Sequence, residues 1–274
     1  MDATRFTAAD LADTGQWRLI LHIDEGGMSG WLATATPGDI PPGALFGARW
    51  ADRRDNILKE IENTVYDHPR VLDDYSTDII LATDRVMWVP ESELEVDNAE
   101  ETIYTALFPT LGGEAMADTL GPVPALFTSG AGLKAFIGRT FAGARVRCQM
   151  SLTAAAACTP SLRARVIIDI RQGKADIVIA DRGDFKAGVS HDWGDPADIV
   201  YHLFQLLDVL AVDASGADIL LAGDPGAAQA VADILSALPS PPAVAIHDSS
   251  SMPLSVALCA AKGDLQIFKT FSKL

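Results

Sequence analysis

Leu19-Ile20-Leu21-His22-Ile23-Asp24-Glu25-Gly26-Gly27-Met28-Ser29-Gly30-Trp31-Leu32-Ala33 and Val166-Ile167-Ile168-Asp169-Ile170-Arg171-Gln172-Gly173-Lys174-Ala175-Asp176-Ile177-Val178-Ile179-Ala180 have the same layout. Each is an apolar run that ends in or carries an Asp, a Gly-containing turn, and a second apolar run. Short apolar runs joined by such turns read as β-hairpins. Each is followed by a third extended stretch and then by a helical pattern. A unit met twice in one chain predicts a duplicated architecture, and the rest of the sequence is read outward from it.

In the first half, Trp17–Ile23 and Met28–Thr36 form the predicted hairpin. A loop follows from Pro37 to Gly43, and Ala44–Trp50 is a third strand. Ile57, Leu58, Ile61 and Val65 recur at helical spacing within Arg54–Tyr66. Strands are expected at Asp78–Thr83, Val86–Pro90, Ala125–Thr128 and Val146–Met150, with helices at Asn98–Leu107, Gly132–Phe141 and Ser151–Cys158. The second half repeats the order with strands Ala164–Ile170, Ala175–Asp181 and Asp184–Trp193. Asp195-Pro196 supplies an N-cap and a proline at the first helical position. The helix it opens runs to about Val212, with Ile199, Leu203, Leu206, Leu207 and Leu210 as its apolar stripe. Asp218–Ala222 and Ala243–Ile246 are strands, Gly226–Leu238 and Pro253–Ala261 helices, and Asp264–Phe271 a last strand. Strands alternating with helices predict an α/β fold with mixed sheets. The boundary between halves is expected near Thr159-Pro160-Ser161, which gives lobes 1–160 and 161–274.

The chain has 274 residues, 37 of them acidic and 21 basic, for a formal charge of −16. A surface of that sign repels phosphate, which argues against nucleic acid and anionic membranes as partners. Cys148, Cys158 and Cys259 show no disulfide or zinc spacing, so free thiols and a cytoplasmic setting are expected. The first sixteen residues lack the apolar core of a signal peptide, and no run approaches the ~18 apolar residues of a membrane span. His22, His68, His191, His202 and His247 lack the pairing of a metal site. His22 reads as a sheet-face residue, His191-Asp192-Trp193 as a strand end, and Ser249-Ser250-Ser251 as flexible polar chain. Tyr201 and Phe204 read as core.

The order strand–strand–strand–helix–strand–helix–strand–helix, met twice, resembles the superfamily of actin, sugar kinases, acetate kinase and heat-shock chaperone ATPases. Within it the chain is similar to an uncharacterised bacterial family of unknown function with an actin-like ATPase fold. Trp88-Val89-Pro90-Glu91, Gly183-Asp184-Phe185 and Asp198-Ile199-Val200-Tyr201-His202-Leu203-Phe204 carry that closer match. The resemblance implies duplicated actin-like (ribonuclease H-like) lobes with a central cleft. It also implies three loops that would hold Mg·ATP. Two are hairpin turns whose amides approach phosphate where glycine permits, and the third is a small-Gly-Gly turn at a helix start.

Carried over position by position, the first loop keeps Asp24 and Gly26, with Gly27 and Met28 where the chaperones have hydroxyl residues. The second keeps Asp169, Gly173 and Asp176 in register with Asp-x-Gly-Gly-Gly-Thr-x-Asp, but Arg171 and Gln172 replace glycines and Lys174 replaces the threonine. The third reads Ala222-Gly223-Asp224-Pro225. A carboxylate at ~4 Å from a phosphate costs roughly 4 kcal/mol at an effective dielectric of ~20. Asp24 and Asp169 are either metal-orienting carboxylates or hairpin-turn residues, and the lost glycines favour the second. Arg171 and Lys174 either bind an anion or pair with Asp24, Glu25 or Asp169 and fill the phosphate space.

The candidate cofactor-contacting set is therefore Asp24, Gly26, Gly27, Asp169, Arg171, Gly173, Lys174, Asp176, Gly223 and Asp224, with no catalytic residue assigned and no metal set. A non-catalytic protein-binding or scaffold role without cofactor is the first expectation, and an ATPase or kinase-like enzyme using Mg·ATP is the alternative. Phe46, Trp50, Trp88, Phe127 and Trp193, read as lying at or near loop and strand ends, either close the lobes or contribute at least one exposed aromatic patch for protein partners or self-association.

Overall fold

The computed structural model describes residues 13–35, 42–50, 57–109 and 113–261. These divide into two compact units. One holds the described residues through Thr119, Pro124–Gln149 and those from Ser255 onward; the other holds Leu120–Val123 and Met150–Leu254.

The first unit contains β1 (Trp17–Asp24), β2 (Gly27–Thr34), β3 (Gly43–Arg49), α1 (Ile57–Asp67), β4 (Ser76–Leu81), β5 (Val86–Trp88), α2 (Ala99–Leu107), β6 (Glu114–Asp118), β7 (Ala125–Ser129), α3 (Leu133–Thr140) and β8 (Arg145–Cys148). Then follow α4 (Gln149–Ala157), β9 (Ala164–Arg171), β10 (Lys174–Asp181), β11 (Asp184–Asp192), α5 (Pro196–Val209), β12 (Asp218–Gly223), α6 (Pro225–Ser236), β13 (Ala243–Ile246) and α7 (Leu254–Ala260). The strand expected at Asp264–Phe271 lies outside the described residues.

The duplication is explicit in the sheets. One has the order β3-β2-β1-β4-β8 and the other β11-β10-β9-β12-β13. In each, the first three strands are antiparallel and the last two join in parallel. A third sheet, β5-β7-β6, belongs to the first unit. The fold is thus mixed α/β with two equivalent five-stranded sheets.

Alternation along β9 and β10 decides what faces where. Val166, Ile168 and Ile170, with Ala175, Ile177 and Ile179, form one core with Ile199, Leu203 and Leu207 of α5 and Val231 and Leu235 of α6. Asp169 and Arg171, out of phase with that set, fall on the opposite sheet face. The capping of α5 is as read from sequence: Asp195 Oδ1 accepts the Ala197 N–H at 2.8 Å, and Asp198 Oδ2 accepts the Gly194 and Asp195 N–H groups at 2.9 Å. Those two amide donors hold the Asp198 carboxyl below its ordinary range. The helix stops at Val209 rather than Val212, because Ala211 takes a left-handed φ of 54° and Val212 N–H turns back to the Leu207 carbonyl at 2.9 Å.

Charges are built into the first unit's interior. Asp78 on β4 is buried and accepts from Arg18 Nη1 at 3.0 Å and from Arg145 Nε and Nη2 at 2.8 and 3.0 Å. Arg18 Nη2 also donates to the last carbonyls of α7, Cys259 at 2.8 Å and Ala260 at 3.1 Å. Arg147 Nη1 pairs with buried Asp118 at 2.9 Å. His22, a buried sheet-face residue, meets Gln149 Oε1 through Nε2 at 3.0 Å.

The five aromatics do not form an exposed patch. Phe46, Trp50 and Phe127 are buried, and Trp88 and Trp193 half-buried. Phe46 stacks on His68 at 4.3 Å, and Trp50 Nε1 donates to Thr64 Oγ1 at 3.3 Å. Phe46 and Phe127 lie mid-strand, in β3 and β7, rather than at element ends, and burying such a ring removes far more apolar area than any smaller residue could. Tyr201 is the reverse case: it is 65% exposed, while Phe204 packs on the core as expected. The three cysteines are free. Burial pushes the Cys158 thiol up to about 11 and the Cys259 thiol up to about 12, so neither is a thiolate nucleophile near neutrality. Among the described residues no helix is long and apolar enough to cross a membrane.

His191 on β11 stacks on His202 of α5 with ring centroids 4.2 Å apart and planes within 5°. Each ring leaves a buried nitrogen, His191 Nε2 and His202 Nδ1, without a hydrogen-bond partner among the described residues. Burial, then the neighbouring His202, lower the His191 pKa from 6.5, and Asp192 opposes them. The folded state therefore prefers neutral His191. That preference costs nothing above the unfolded value; stability declines as pH falls through about 6.5 toward the lower folded value. His191→Gln should flatten the fall in melting temperature between pH 7 and pH 5.5. Identical pH slopes for both proteins would refute this role of the pair.

Candidate functional site

The first loop closes β1. Asp24 pairs with Gly27 across the turn Glu25-Gly26. Its Oδ1 accepts the Gly26 N–H at 2.6 Å, and Arg49 Nη1 reaches Oδ2 at 3.4 Å. The Gly26 carbonyl accepts Trp50 N–H at 3.0 Å. The turn amide that could approach an anion is thus engaged by the loop's own carboxylate, an Asx arrangement. Gly27 has a packing reason of its own, since a Cβ there would stand 2.4 Å from the Ala48 carbonyl oxygen of β3.

In the second loop Asp169 and Asp176 lie directly opposite one another on β9 and β10, and both are buried. Arg171 and Lys174 form the next same-face pair toward the turn. Arg171 Nη2 donates to Asp176 Oδ1 at 2.9 Å and Oδ2 at 3.0 Å, and Nε to Oδ2 at 3.2 Å. A fork of this kind fixes the guanidinium plane and its charge together. Lys174 Nζ pairs with Asp192 Oδ1 of β11 at 2.8 Å. The two cations find these partners on their own sheet. A diagonal cross-strand neighbour lies within reach of a long side chain at small entropic cost. Gly173 takes φ +72° at the turn, with open space around its α-carbon. Trp193 closes the turn, its Nε1 donating to the Arg171 carbonyl at 2.9 Å.

The third loop joins the second through the sheet. β12 runs parallel to β9, with Ala222 beside Asp169 and Gly223 beside Ile170. Asp224 N–H donates to the Ile170 carbonyl at 2.7 Å. Gly223 has φ +93°, and a Cβ on it would stand 2.0 Å from the Ile170 carbonyl oxygen. Its N–H donates to Ser249 Oγ at 2.8 Å. Asp224 is the N-cap of α6: Oδ1 accepts the Ala227 N–H at 2.8 Å, and Pro225 follows at the first helical position. A helix N-terminus is an anion site by virtue of its free amides and dipole, and here a carboxylate of the chain already sits on it.

The structure brings Asp169, Arg171, Asp176 and Gly223 together on adjacent strands of the second unit, with Asp224 next to them at the α6 N-cap and Gly173 and Lys174 at the hairpin tip. Asp24, Gly26 and Gly27 form the corresponding turn of the first unit. Arg49, Trp193 and Ser249 were not singled out for these roles. Ser249 lies 26 residues from its partner, and the sequence gives no sign of that contact. Taken loop by loop, these residues do not fit Mg·ATP as a phosphate cradle: the Gly26, Gly223 and Ala227 amides and the Arg171 guanidinium have protein partners. Among the described residues no group of three or more His, Cys, Asp or Glu could hold a metal ion.

A Bacteroides thetaiotaomicron protein with an actin-like ATPase fold and unknown function superposes with a TM-score of 0.77. Its sequence is 15% identical, and the match covers 92% of this chain and 98% of that one. This chain has the actin-like ATPase fold. Weaker superposition extends to the PilM–PilN type IV pilus biogenesis complex, with TM-score 0.47, 12% identity and coverage of 93% and 98%. It extends also to the cytoplasmic domain of EpsL, an inner-membrane component of the Vibrio cholerae type II secretion system, with TM-score 0.45, 9% identity and coverage of 91% and 95%. No protein-family model and no curated protein matches the sequence. The two hairpin turns and the β12–α6 turn stand at the positions where the three loops were read from sequence.

Proposed function

We propose that this chain is an actin-like domain without nucleotide turnover, with a non-catalytic protein-binding or scaffold role. The observation that carries the reading is the third loop, where Asp224 caps α6 and Ser249 accepts the Gly223 amide. A polyphosphate there would have to displace one carboxylate and face its charge. The Arg171–Asp176 fork supports the same conclusion in the second loop, since an arginine already neutralised offers a phosphate little. The alternative, a Mg·ATP-dependent enzyme, draws on the retention of Asp24, Asp169, Gly173 and Gly223 at their family positions.

Titration calorimetry with Mg·ATP separates the two. No binding, or binding weaker than about 1 mM, roughly −4 kcal/mol, is expected. An unchanged melting temperature at millimolar Mg·ATP should accompany it. A micromolar affinity, about −8 kcal/mol, abolished by Asp24→Ala or Asp169→Ala, would establish the enzyme reading instead.

A further inference from the structure

The second unit has a one-signed outer layer. From Ala187 to Ala261 the sequence has nine Asp and no Lys or Arg. This stretch builds α5 and α6, which pack side by side over the sheet. Asp218 is paired with Arg163 and Asp192 with Lys174. Asp198 and Asp208 are exposed on α5, where His202 is near Asp198, and no Lys or Arg ion pair holds either among the described residues.

Between these acids α5 presents two apolar side chains, Tyr201 and Val209, to solvent. Tyr201 is 65% exposed and Val209 77% exposed, with exposed Gln205 between them at i+4 spacing. Residues four apart lie one above the other on a helix face. The opposite face of α5 is fully used, with Ile199, Leu203 and Leu207 in the core. The exposed pair is therefore not an incidental edge of the core stripe. A solvated Tyr and Val in line, flanked by carboxylates, is an unpartnered helix face.

Charge selects the occupant. A second copy of the chain on this face would set acid against acid, which costs several kcal/mol at close range. Nucleic acid and anionic lipid have the wrong sign. We propose that the outer face of α5 docks a basic, amphipathic segment of a partner protein. Its apolar side chains would seat on Tyr201 and Val209, and its Lys or Arg side chains would meet Asp198 and Asp208. Tyr is among the residues that most often anchor such contacts. The proposal rests on the protein-binding reading above and gives that reading a surface and a partner chemistry.

The test uses the full chain and a synthetic amphipathic helix of Leu and Lys, with a Leu–Glu helix of the same pattern as control. The Leu–Lys helix should bind, more weakly as salt rises, and should perturb amide resonances along α5; the Leu–Glu helix should not bind. Tyr201→Ser with Val209→Ser leaves the charge unchanged and removes only exposed groups, so folding is preserved. It should weaken binding about tenfold, about 1.4 kcal/mol. Leu162→Ser, at a 95% exposed apolar residue outside the helix, should leave binding unchanged. Equal affinity in all three proteins would mean that charge alone holds the peptide and would overturn the proposal, as would no binding or perturbations elsewhere. The nucleotide titration is independent. A chain that binds neither Mg·ATP nor the peptide keeps the protein-binding reading and loses this surface, whereas one that binds Mg·ATP tightly loses the reading itself.

Discussion

Asp78→Ala should destabilise the first unit by about 3–5 kcal/mol, the cost of leaving one partner of a buried ion pair uncompensated. Asp78 is 2% exposed and Arg18 4% exposed, so neither reaches water. With the carboxylate gone, Arg18 keeps its bonds to the Cys259 and Ala260 carbonyls but no anion. The guanidinium must then remain charged in the interior or pull away from α7. Either outcome loosens the junction between β1 and the helix, and amide exchange in α7 should accelerate along with a lower urea midpoint. Arg145→Ala is the comparator. Its side chain is 50% exposed, and its removal leaves Asp78 paired with Arg18. A surface-accessible pair of this kind is worth about 1 kcal/mol or less. Equal losses in the two variants, or an Asp78→Ala protein within 1 kcal/mol of the parent, would show that the pair is not the anchor its geometry implies.

The sequence made that network hard to foresee for a specific reason. Arg18, Asp78 and Arg145 sit on β1, β4 and β8, far apart in the chain, and only the parallel crossovers align them. The hairpins were legible because each states its geometry locally, as two apolar runs around a Gly turn. The α5 cap was legible likewise, because Asp195 and Pro196 act within one turn. β6 went unread because Glu114-Ala115-Met116-Ala117-Asp118 contains no β-branched or aromatic residue, and pairing with β7 imposes the strand. The end of α5 was misplaced because Ala211 takes a left-handed turn that usually announces itself as glycine. In the three loops the turns were legible and the partners of their side chains were not. Arg171 and Lys174 stood out as charges replacing small residues. That Asp176 and Asp192 would hold them follows from cross-strand register, which a motif does not state. Ser249 shows the limit most clearly: its hydroxyl meets Gly223 only because β13 returns beside β12.

Gly223→Ala should cost on the order of 4 kcal/mol or more, with a soluble yield that falls accordingly. Two penalties coincide there. The residue has φ +93°, a region that L side chains rarely adopt, and strain of that kind is worth about 1–3 kcal/mol. The added Cβ would also stand 2.0 Å from the Ile170 carbonyl oxygen and 2.6 Å from its nitrogen, both backbone atoms of the neighbouring strand. A flexible side chain could swing aside, but a central strand cannot move without breaking the Asp224 N–H bond to that same carbonyl. The comparator is Gly173→Ala, which has φ +72° but no atom within 4 Å of its added Cβ, so it carries the dihedral penalty alone, about 1 kcal/mol. The pair of variants also bears on function. A glycine kept only for close approach to a phosphate would be replaceable in the apo chain at the dihedral penalty alone. The contacts around Gly223 instead make it a requirement of the β9–β12 junction, so a glycine there is by itself no sign of a working nucleotide loop. Urea denaturation of both variants decides the point: a Gly223→Ala protein as stable as Gly173→Ala would remove the packing explanation and strengthen the case for a ligand at the third loop.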